Sequence, residues 1–560
     1  MTTIRSRLQQ SASLWIELRA FALTILFVNP IRETGLDDDW TYVVMVRHLL
    51  ETGSYQLHQW AAANLPFQTY WGGLFAQLLG YSFTSLRIST LVLVFFGLIA
   101  FYYLAREHGL NDIQAGLTML ALLASPLVLR YSFTFNTDGQ FLMWLIIALF
   151  LYTRAIRTHS YPLMFSASTT AAAAILTRQF GLALAAGVFS LWALSEQRRE
   201  HALFFAAGLI LPAVAGVWQL SMGTFAPTKL QERELLNTSL YFADIGAMLT
   251  NTLFRPTVIL QYLALFSLPF IFLALLGLAY EIKRPEFLTS ERKWTMHHIL
   301  LLAVLTLYIL AGIIHGHVAN HLPWLMPYVK WNFDFIAGMQ WSRRAILTLI
   351  TATGAILYAS IFVLRYSRTE GWREVPQSQR LLDLVTLFLL AEQLIYHNIG
   401  DRYLLVFLPF VFIIVGRHLG SWLNRFKMAA AIVCVVMLVA SSMWIRALLA
   451  ETEAAWNAAE LVRAAGIEPR RIFGSQEWNF YYGATDDYLS EIGDSKLVDN
   501  LNDFWHRWYP ERKKHAEFLI TASMGAPDSE KWEVVSEVPY SDTLFQVKHI
   551  YVVRRVNGGQ

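Results

Sequence analysis

Long apolar runs recur along most of the chain and are separated by short polar segments. A helix that crosses a bilayer needs about 20 mostly apolar residues, and thirteen segments approach this requirement. They lie at residues 14–30, 83–104, 114–130, 139–156, 163–178, 180–195, 202–221, 257–280, 298–314, 344–364, 380–397, 402–418 and 427–447. The pattern predicts an all-α polytopic membrane protein with thirteen transmembrane helices.

The loops between these runs have two compositions, which orients the predicted helices. One set is short and basic, with Arg106 and Arg154 as examples. The other set is longer and less basic, and comprises residues 31–82, 222–256 and 315–343. Because short cytoplasmic loops carry an excess of Lys and Arg, we predict that the second set and everything after residue 448 face outward.

The chain changes character after the last predicted span. From Glu451 onward charged residues are frequent and apolar runs shorten to the length of strands. "AWNAAELVRAAGIEP" predicts a helix that ends at Gly466, and "RRIFGS", "EFLITAS", "WEVVSEV" and "FQVKHIYVVRR" predict strands. We predict a transmembrane domain over residues 1–448, with outer juxtamembrane helices in a first outer loop at 31–82, and a small α/β extracytoplasmic domain over residues 449–560.

The composition supports this class and excludes others. Hydrophobic residues make up 55% of the 560 residues and charged residues 15%, whereas soluble domains average about 25% charged residues. The formal net charge of +3 is too small to indicate a nucleic-acid partner. The single cysteine, Cys434, excludes an intramolecular disulfide. Because the first apolar run lacks a small-residue cleavage site, we expect it to be retained as an anchor.

Three consecutive aspartates, Asp37, Asp38 and Asp39, follow the first apolar run. After them, apolar residues at helical spacing up to Gly53 predict an amphipathic helix of about four turns on the outer membrane surface. One or two of the carboxylates are explained as helix caps that complement the helix dipole. Helix capping does not explain three consecutive carboxylates, because neighbouring carboxylates repel. The alternative is that one carboxylate faces a cleft as a general base for a hydroxyl, while another caps the helix or pairs with a cation.

Several fragments resemble one known family. "DDDWTYVVMVRHLLETGSYQLHQ", followed by "NLPFQTYW" and "SFTSLRIS", resembles the first outer loop of the GT-C glycosyltransferases, in particular the branch of the lipid A aminoarabinose transferases and protein O-mannosyltransferases. "SPLVLRYSFTFNTDGQFLMW", "AILTRQFGLAL" and "DRYLLVFLPF" agree with later motifs of the family in order and spacing. Thirteen spans and an outward C-terminal domain also fit this branch.

The resemblance implies roles for individual carboxylates. Matching Tyr42 and Arg47 to the family motif places the catalytic aspartate on Asp38 and its acidic partner on Asp39. Asp138 corresponds to the family's aspartate at the opening of a span. From sequence alone this residue is either a helix cap or a second carboxylate in the cleft that orients the acceptor or a divalent ion.

The resemblance also implies cations for a donor phosphate. Arg178 lies between two apolar runs with no room for a loop, so it must snorkel, pair with an acid or bind an anion, and guanidinium geometry suits a phosphate. Arg402 would assist it, although its sequence neighbour Asp401 favours a local ion pair. Lys229 and Arg255 complete the candidate phosphate ligands, and the segment around Lys229 is also typical of a solvated helix face.

The motifs identify no particular cofactor, and a divalent metal ion stays an open alternative. The histidines of "HGHVANH", His315, His317 and His321, have a permissible spacing for a metal site. No cysteine or acidic residue follows them until Asp334. We therefore interpret the cluster as loop histidines at the membrane surface.

The resemblance implies an integral membrane glycosyltransferase of the bacterial inner membrane, with its active site and C-terminal domain facing the periplasm. Its donor would be a monosaccharide on a polyprenyl phosphate, and its acceptor an envelope lipid, a glycan or a protein. Single-step attack predicts inversion at the anomeric carbon. Two alternatives stay open: a transporter or flippase for lipid-linked glycans, which would also have charged residues facing a cavity between many spans, and a ligase that joins lipid-linked polymers.

Overall fold

The computed structural model describes the chain in eight segments, residues 11–225, 228–282, 303–311, 350–360, 374–396, 401–483, 513–522 and 532–556. Within them, a bundle of α-helices is followed by a small domain that contains a sheet. The predicted fold class is confirmed.

The first half of the chain is helical almost throughout. Its helices are α1 (Ala12–Val28), α2 (Asp39–Thr52), α3 (Pro66–Leu79), α4 (Phe83–Glu107), α5 (Asp112–Ala124), α6 (Pro126–Ser132), α7 (Thr137–Thr158), α8 (Tyr161–Ile175), α9 (Leu182–Ala193) and α10 (Ala202–Phe225). Helix α7 packs against both α4 and α8. Large buried side chains such as Phe101, Phe141 and Tyr152 fill the space between these helices.

The second half of the helical region is described in part. Its helices are α11 (Lys229–Ala243), α12 (Ile245–Phe266), α13 (Leu268–Ile282), α14 (Gln377–Ile395), α15 (Leu408–His418), α16 (Gly420–Arg425) and α17 (Lys427–Ala464). A 3-10 helix, Asp401–Phe407, leads into α15. Residues 303–311 and 350–360 are also helical.

Two predicted spans are divided into bent pairs of helices. Pro126 lacks a backbone N–H and disfavours a helical conformation at Ser125, so the span predicted at 114–130 becomes α5 and α6, which are bent by 69°. The span predicted at 257–280 divides at Ser267 into α12 and α13, which are bent by 86°.

Four described helices, α4, α7, α10 and α17, are long and apolar enough to cross a membrane, or six spans if each bent pair counts as one. On α10, large apolar side chains remain exposed, as expected for a surface that faces lipid. The predicted spans at 298–314 and 344–364 fall partly on residues outside the described segments. The count of thirteen therefore stays a prediction.

The helix α17 continues without a break from the apolar region into the C-terminal domain, across the boundary predicted between residues 448 and 449. Gly466, with a φ of +88°, follows its end. The domain then forms a sheet and a short helix. They comprise β1 (Ile472–Phe473), α18 (Gln476–Tyr481), β2 (Phe518–Thr521), β3 (Trp532–Ser541) and β4 (Val547–Arg555).

The sheet has the strand order β1-β2-β4-β3. Strands β1 and β2 are parallel, and the other pairs are antiparallel. All four predicted strands are confirmed. The sheet packs on the outer part of α17.

The first outer loop and the C-terminal domain share one hydrophobic core. It contains Val43 and Val46 of α2, Trp456 of α17, Trp478 of α18 and Ile550 of β4. The predicted helix after the aspartates is confirmed as α2, and Gly53 ends it with a φ of +70°. These two regions, distant in sequence, therefore form a single packed unit that positions the aspartate turn.

Candidate active site

The turn before α2 sends its three aspartates into different environments. Asp37 has a φ of +56°, a left-handed conformation that is uncommon for a residue with a side chain. The Asp39 side chain is buried, whereas the Asp38 side chain stays 46% exposed. Of the three carboxylates, that of Asp38 is therefore the one that a substrate can most readily reach.

Asp37 is held by an arginine that the sequence analysis did not single out. Nη2 of Arg130, on α6, donates to the two carboxylate oxygens of Asp37 at 2.5 and 2.7 Å. The Arg130 guanidinium also lies 5.8 Å from the centre of the Trp444 ring. The pair ties the strained turn to the helical bundle.

Asp39 fixes the loop that precedes α2. One of its oxygens accepts from the backbone N–H of Leu36 at 2.5 Å, and the other accepts from that of Phe135 at 3.4 Å. Burial raises the pKa of Asp39 to about 8, although the Arg87 guanidinium opposes this shift. The structure therefore places Asp39 as an internal support of the turn, and its proposed role as acidic partner stays a prediction.

Arg87, on α4, holds the same loop through its backbone. Its guanidinium donates to the carbonyl oxygens of Phe133, Pro30, Arg32 and Thr34 at 2.7–3.0 Å. Arg87 belongs to the "SFTSLRIS" fragment that resembles the family. The loop around the aspartates is thus anchored to α4 by a buried cation.

Asp38 pairs with Arg402, a residue distant in sequence. Nη1 of Arg402, in the 3-10 helix before α15, donates to Asp38 Oδ2 at 2.8 Å. Asp38 occupies the N-cap position of α2, but its side chain makes no capping hydrogen bond, so the capping interpretation is wrong for this carboxylate. The local pairing expected from Asp401 did not anticipate this contact.

Arg178 and Asp138, which the sequence analysis treated separately, form an ion pair. The Arg178 side chain is only 13% exposed, so it pairs rather than snorkels. Its guanidinium lies 5.1 Å from the centre of the Phe180 ring and 5.2 Å from that of Tyr403. Arg402 lies 5.3 Å from the same Tyr403 ring. The two arginines therefore share one aromatic neighbour.

Local geometry fixes Asp138 at the start of α7. The cap of this helix is Asn136, whose side chain accepts from the Asp138 backbone N–H at 3.2 Å, so Asp138 itself is not the cap. At Gly139, any Cβ would collide with the carbonyl oxygen of Tyr131 on α6. The start of α7 is therefore pressed against α6, which sets where the Asp138 carboxylate lies.

Tyr42, one turn into α2, links the two ion pairs electrostatically. Burial and the charge of Asp38 together raise the pKa of its phenol to about 12, although Arg402 and Arg178 oppose the shift. The charges of all three groups therefore act on this phenol. We refer to Asp38, Tyr42, Asp138, Arg178 and Arg402 as the acid–arginine cluster.

Two predicted phosphate ligands lie elsewhere or cannot be placed. Arg255, on α12, donates to the carbonyls of Gln393 and Leu394 at 3.2 Å each, and also to that of Tyr396. These groups end α14, and a cation there satisfies carbonyls left without helical partners. Lys229 is the first residue of α11, and its side chain is not among those described.

Arg255 nevertheless supports the cluster through Tyr396. The Tyr396 ring contacts Tyr403, with centroids 5.9 Å apart, and Phe180, with centroids 6.3 Å apart. Its hydroxyl donates to Glu234 at 2.8 Å. Arg255 thus holds the aromatic residues that surround Arg178, and its contact with phosphate stays a prediction.

The C-terminal domain contributes Glu477, which the sequence analysis also missed. Its Cβ lies 3.4 Å from the position that a Cβ on Gly35 would occupy. Burial and the charge of Asp37 together raise the pKa of Glu477 to about 7. Helix α18 therefore places a carboxylate against the aspartate turn.

Arg130 and Glu477, which the sequence analysis did not identify, differ in how strongly the sequence indicates a functional role. Arg130 is a lone charge inside the apolar run "SPLVLRYSF", and such residues are candidates for functional sites by default. Glu477 lies in "SQEWNFYYG", which carries no chemical motif. Only the packing of α18 on α2 reveals its position.

The described residues add no support for a bound metal ion. Within the eight described segments, no group of three or more His, Cys, Asp or Glu side chains is placed to hold a metal ion. His315, His317 and His321 lie outside these segments. A metal site at those histidines stays untested.

Comparison with known families points to a class of membrane enzymes. Residues 64–222, a little over a quarter of the chain, match the sequence model of the family described as dolichyl-phosphate-mannose-protein mannosyltransferase. The matched segment contains Asp138 and Arg178, begins after Asp38 and ends before Arg402. Over this segment, the match confirms the resemblance that the sequence motifs indicated. None of the curated proteins matches the chain.

The chain is also similar to particular solved structures. ArnT from Cupriavidus metallidurans in the apo state has 14% sequence identity and a TM-score of 0.47, covering 97% of this chain and 98% of that chain. Its structure bound to undecaprenyl phosphate has 14% identity and a TM-score of 0.47, covering 98% and 100%. The oligosaccharyltransferase AglB from Archaeoglobus fulgidus, in complex with an inhibitory peptide and a dolichol-phosphate, has 11% identity and a TM-score of 0.48, covering 92% and 69%. Likeness at this level carries no argument about function.

Proposed function

We propose that the chain is an integral membrane glycosyltransferase that moves a monosaccharide from a polyprenyl-phosphate donor to an envelope lipid, glycan or protein acceptor. One observation carries the proposal: the accessible carboxylate of Asp38 lies 2.8 Å from Arg402, beside a second guanidinium, that of Arg178. Glycosyl transfer from a lipid phosphate needs a base at one end and positive charge at the other. The family match over residues 64–222 supports the same class.

The reaction follows from these positions. Asp38 accepts the proton of the acceptor hydroxyl as the acceptor oxygen forms a bond to the anomeric carbon. The bond between that carbon and the phosphate oxygen breaks in the same step, and its electron pair leaves with the polyprenyl phosphate. Arg178 and Arg402 stabilise the charge on the leaving phosphate. Attack opposite the leaving group inverts the anomeric configuration.

In this step Arg402 interacts both with the base, Asp38, and with the leaving phosphate. In the structure its Nη1 donates to Asp38, so the guanidinium stabilises the charged base and occupies one of its oxygens. A donor phosphate would compete for the same guanidinium, because phosphate and carboxylate accept it in the same geometry. Donor binding then frees Asp38 to take the acceptor proton. The base becomes available when the donor is present.

The cell membrane, with the site on the periplasmic side, is the proposed location. The basic loops predict that residues 31–82 and the tail face outward. The shared core of α2 and the C-terminal domain supports a common side for both, since packed segments cannot lie on opposite sides of a bilayer. The sugar and the acceptor are not specified by these features.

The proposal is tested by the products that the chain makes. Envelope lipids, glycans and proteins are compared by mass spectrometry in cells that carry the active chain, Asp38→Asn or the control Glu51→Gln, an exposed acid on the same helix. We expect a glycosylated species with the active chain and the control, and its loss with Asp38→Asn. Identical products with all three would refute the proposal. Movement of a lipid-linked glycan across the membrane without a new covalent product would identify a transporter instead.

A further inference from the structure

The tip of the β3–β4 hairpin exposes an apolar surface that glycosyl transfer does not use. Leu544, Phe545 and Val547 are 57%, 54% and 67% exposed. Oδ1 of Asp542 accepts from the backbone N–H groups of Leu544 and Gln546, both at 2.9 Å. Phe545 has a φ of +61° within this turn. The turn therefore holds neighbouring apolar side chains outward, and exposed apolar clusters often mark an interaction site.

The tip lies against the ends of two helices of the bundle. The Phe545 ring meets the Phe27 ring of α1 edge-on, with centroids 6.4 Å apart. The guanidinium of Arg446, on α17, lies 4.6 Å from the centre of the Phe545 ring and 5.9 Å from that of Phe27. The C-terminal domain thus meets the bundle at this point through aromatic rings and one cation.

The exposed surface of α17 indicates at what depth in a bilayer this contact would lie. Its exposed apolar side chains form a stripe that comprises Met428, Ile432, Val435, Val436 and Val439. Arg446 follows seven residues after Val439, about 10 Å further along the helix. On a helix long and apolar enough to cross a membrane, a change from apolar to cationic residues indicates the boundary between hydrocarbon and headgroups.

The apolar surface of the tip is continuous with that of the neighbouring helix. On α1, Leu23 and Leu26 are exposed just before Phe27. The adjacent strand residue, Lys548, is also exposed and adds positive charge beside the tip. An apolar surface flanked by cations at this level matches the chemistry of a bilayer with anionic headgroups.

We propose that residues 544–547 insert into the outer headgroup region of the bilayer and dock the C-terminal domain on anionic lipid. Leu544, Phe545 and Val547 enter the apolar boundary, and Arg446 and Lys548 lie beside lipid phosphates. The contact fixes the height of the domain above the membrane, and this domain carries Glu477. The inference does not rest on glycosyl transfer, because it concerns only the surface that faces lipid.

Spin labels measure the insertion directly. Cys434 is the sole cysteine of the chain and is buried, so a cysteine at Leu544→Cys is labelled selectively, with the unsubstituted chain as the background control. The matched position is Val534→Cys, an exposed apolar residue on the same hairpin, which lies roughly 20 Å from the end of the strand. The full chain is reconstituted in vesicles of phosphatidylethanolamine and phosphatidylglycerol, and collision of each label with oxygen and with a water-soluble nickel chelate is measured.

We expect the label at 544 to collide more with oxygen than with the nickel chelate, and the label at 534 to show the reverse. Equal behaviour of the two labels would overturn the proposal, and would also be the result if a protein rather than lipid covers the tip. In vesicles of zwitterionic lipid alone, the label at 544 should become more accessible to the chelate. No change on removing anionic lipid would overturn the assignment of Arg446 and Lys548 to lipid phosphates.

Discussion

At the scale of single residues, three adjacent carboxylates have three different roles in the structure. Asp37 pairs with Arg130, Asp39 accepts backbone hydrogen bonds, and Asp38 faces Arg402. Asp37 adopts a left-handed conformation and each carboxylate has its own partners, although the charge of Asp37 still raises the pKa of Asp39. Accessibility, rather than charge, therefore distinguishes the candidate base from its neighbours.

The first prediction separates the roles of Asp38 and Asp37. Asp38→Asn should abolish transfer with no loss of thermal stability, since its carboxylate is half exposed. Asp37→Asn should lower the stability, because removing one partner of a buried ion pair costs about 3–5 kcal/mol. Thermal unfolding in detergent and transfer assays measure both. An inactive, fully stable Asp37→Asn beside an active Asp38→Asn would show that the base has been assigned to the wrong residue.

The second prediction concerns Arg178, whose pairing with Asp138 complicates any single substitution. Arg178→Lys should retain part of the transfer activity, because Lys keeps the charge and loses the planar fork. Arg178→Gln should both destabilise the chain and weaken its binding of undecaprenyl phosphate, since it leaves Asp138 buried without a cation.

The double variant Asp138→Asn with Arg178→Gln separates these effects. It should recover much of the stability, because no uncompensated charge remains, but it should not recover binding of undecaprenyl phosphate. Lipid binding is measured by native mass spectrometry of the purified chain. Recovery of binding in the double variant would mean that Arg178 acts only through Asp138.

The third prediction follows from the raised pKa of Asp39. A carboxyl whose pKa rises from 3.8 to about 8 on folding binds its proton more tightly in the folded state. Its contribution to stability is complete below pH 4 and is lost as the pH rises through about 8. The stability of the unsubstituted chain relative to Asp39→Asn should therefore fall between about pH 4 and pH 8. Melting temperatures of both proteins are measured across this range. If the stability of the unsubstituted chain relative to Asp39→Asn rose with increasing pH, the prediction would be wrong.

At the scale of helices and strands, local sequence patterns correctly predicted the elements whose conformation depends mainly on their own residues. Apolar spacing and Gly53 predicted α2, and short apolar runs predicted the four strands. The bend between α5 and α6 has a local cause in Pro126, which the span prediction did not use. The bend at Ser267 also has a local signal, since Pro269 follows two residues later and lacks the backbone N–H that would continue α12.

The sequence predicted which charged residues belong to the candidate site, but not which of them pair with one another. Asp38, Asp138, Arg178 and Arg402 were all singled out, since charges beside apolar runs are conspicuous. Asp38 and Arg402 are 364 residues apart, and no local pattern relates them. The sequence analysis considered the neighbouring Asp401 as a partner of Arg402 and did not anticipate Asp38. Glu477 reaches the site only through the packing of α18 on α2.

The fourth prediction is that α18 positions the aspartate turn from the C-terminal domain. Glu477→Ala removes the side chain that lies against the aspartate turn, and should slow transfer about tenfold, equivalent to about 1.4 kcal/mol. Glu477→Gln should keep most of the activity, because it preserves the size and polarity of that side chain.

The control is Glu468→Gln, an exposed acid of the same domain, which should change nothing. Rates at saturating donor across pH distinguish positioning from lost stability, since a displaced Asp38 changes the rate at every pH. A Glu477→Ala variant as fast as the unsubstituted chain would exclude the role, as would a Glu477→Gln variant as slow as Glu477→Ala.

At the scale of the whole molecule, one core joins the two segments predicted to face outward. Helix α2 packs with α17, α18 and the sheet, so the aspartate turn, the acid–arginine cluster and the C-terminal domain must share one side of the membrane. The continuous α17 carries the chain from the apolar region into this domain without a flexible linker. The domain is therefore packed against the aspartate turn and is connected to the bundle by a continuous helix.

The fifth prediction tests this arrangement in intact cells. Single cysteines are introduced at three exposed positions: Glu51 on α2, Val534 on β3 and Thr158 at the end of α7, beside the basic residues Arg154 and Arg157. A maleimide that cannot cross membranes should label Glu51→Cys and Val534→Cys in intact cells, and Thr158→Cys only after the membrane is permeabilised. The shared core requires the first two to behave alike, whereas the basic loop places the third on the cytoplasmic side. Labelling of Glu51→Cys and Val534→Cys from opposite sides would contradict the packed core. Labelling of all three from outside would leave the core intact and reverse the proposed orientation of α7.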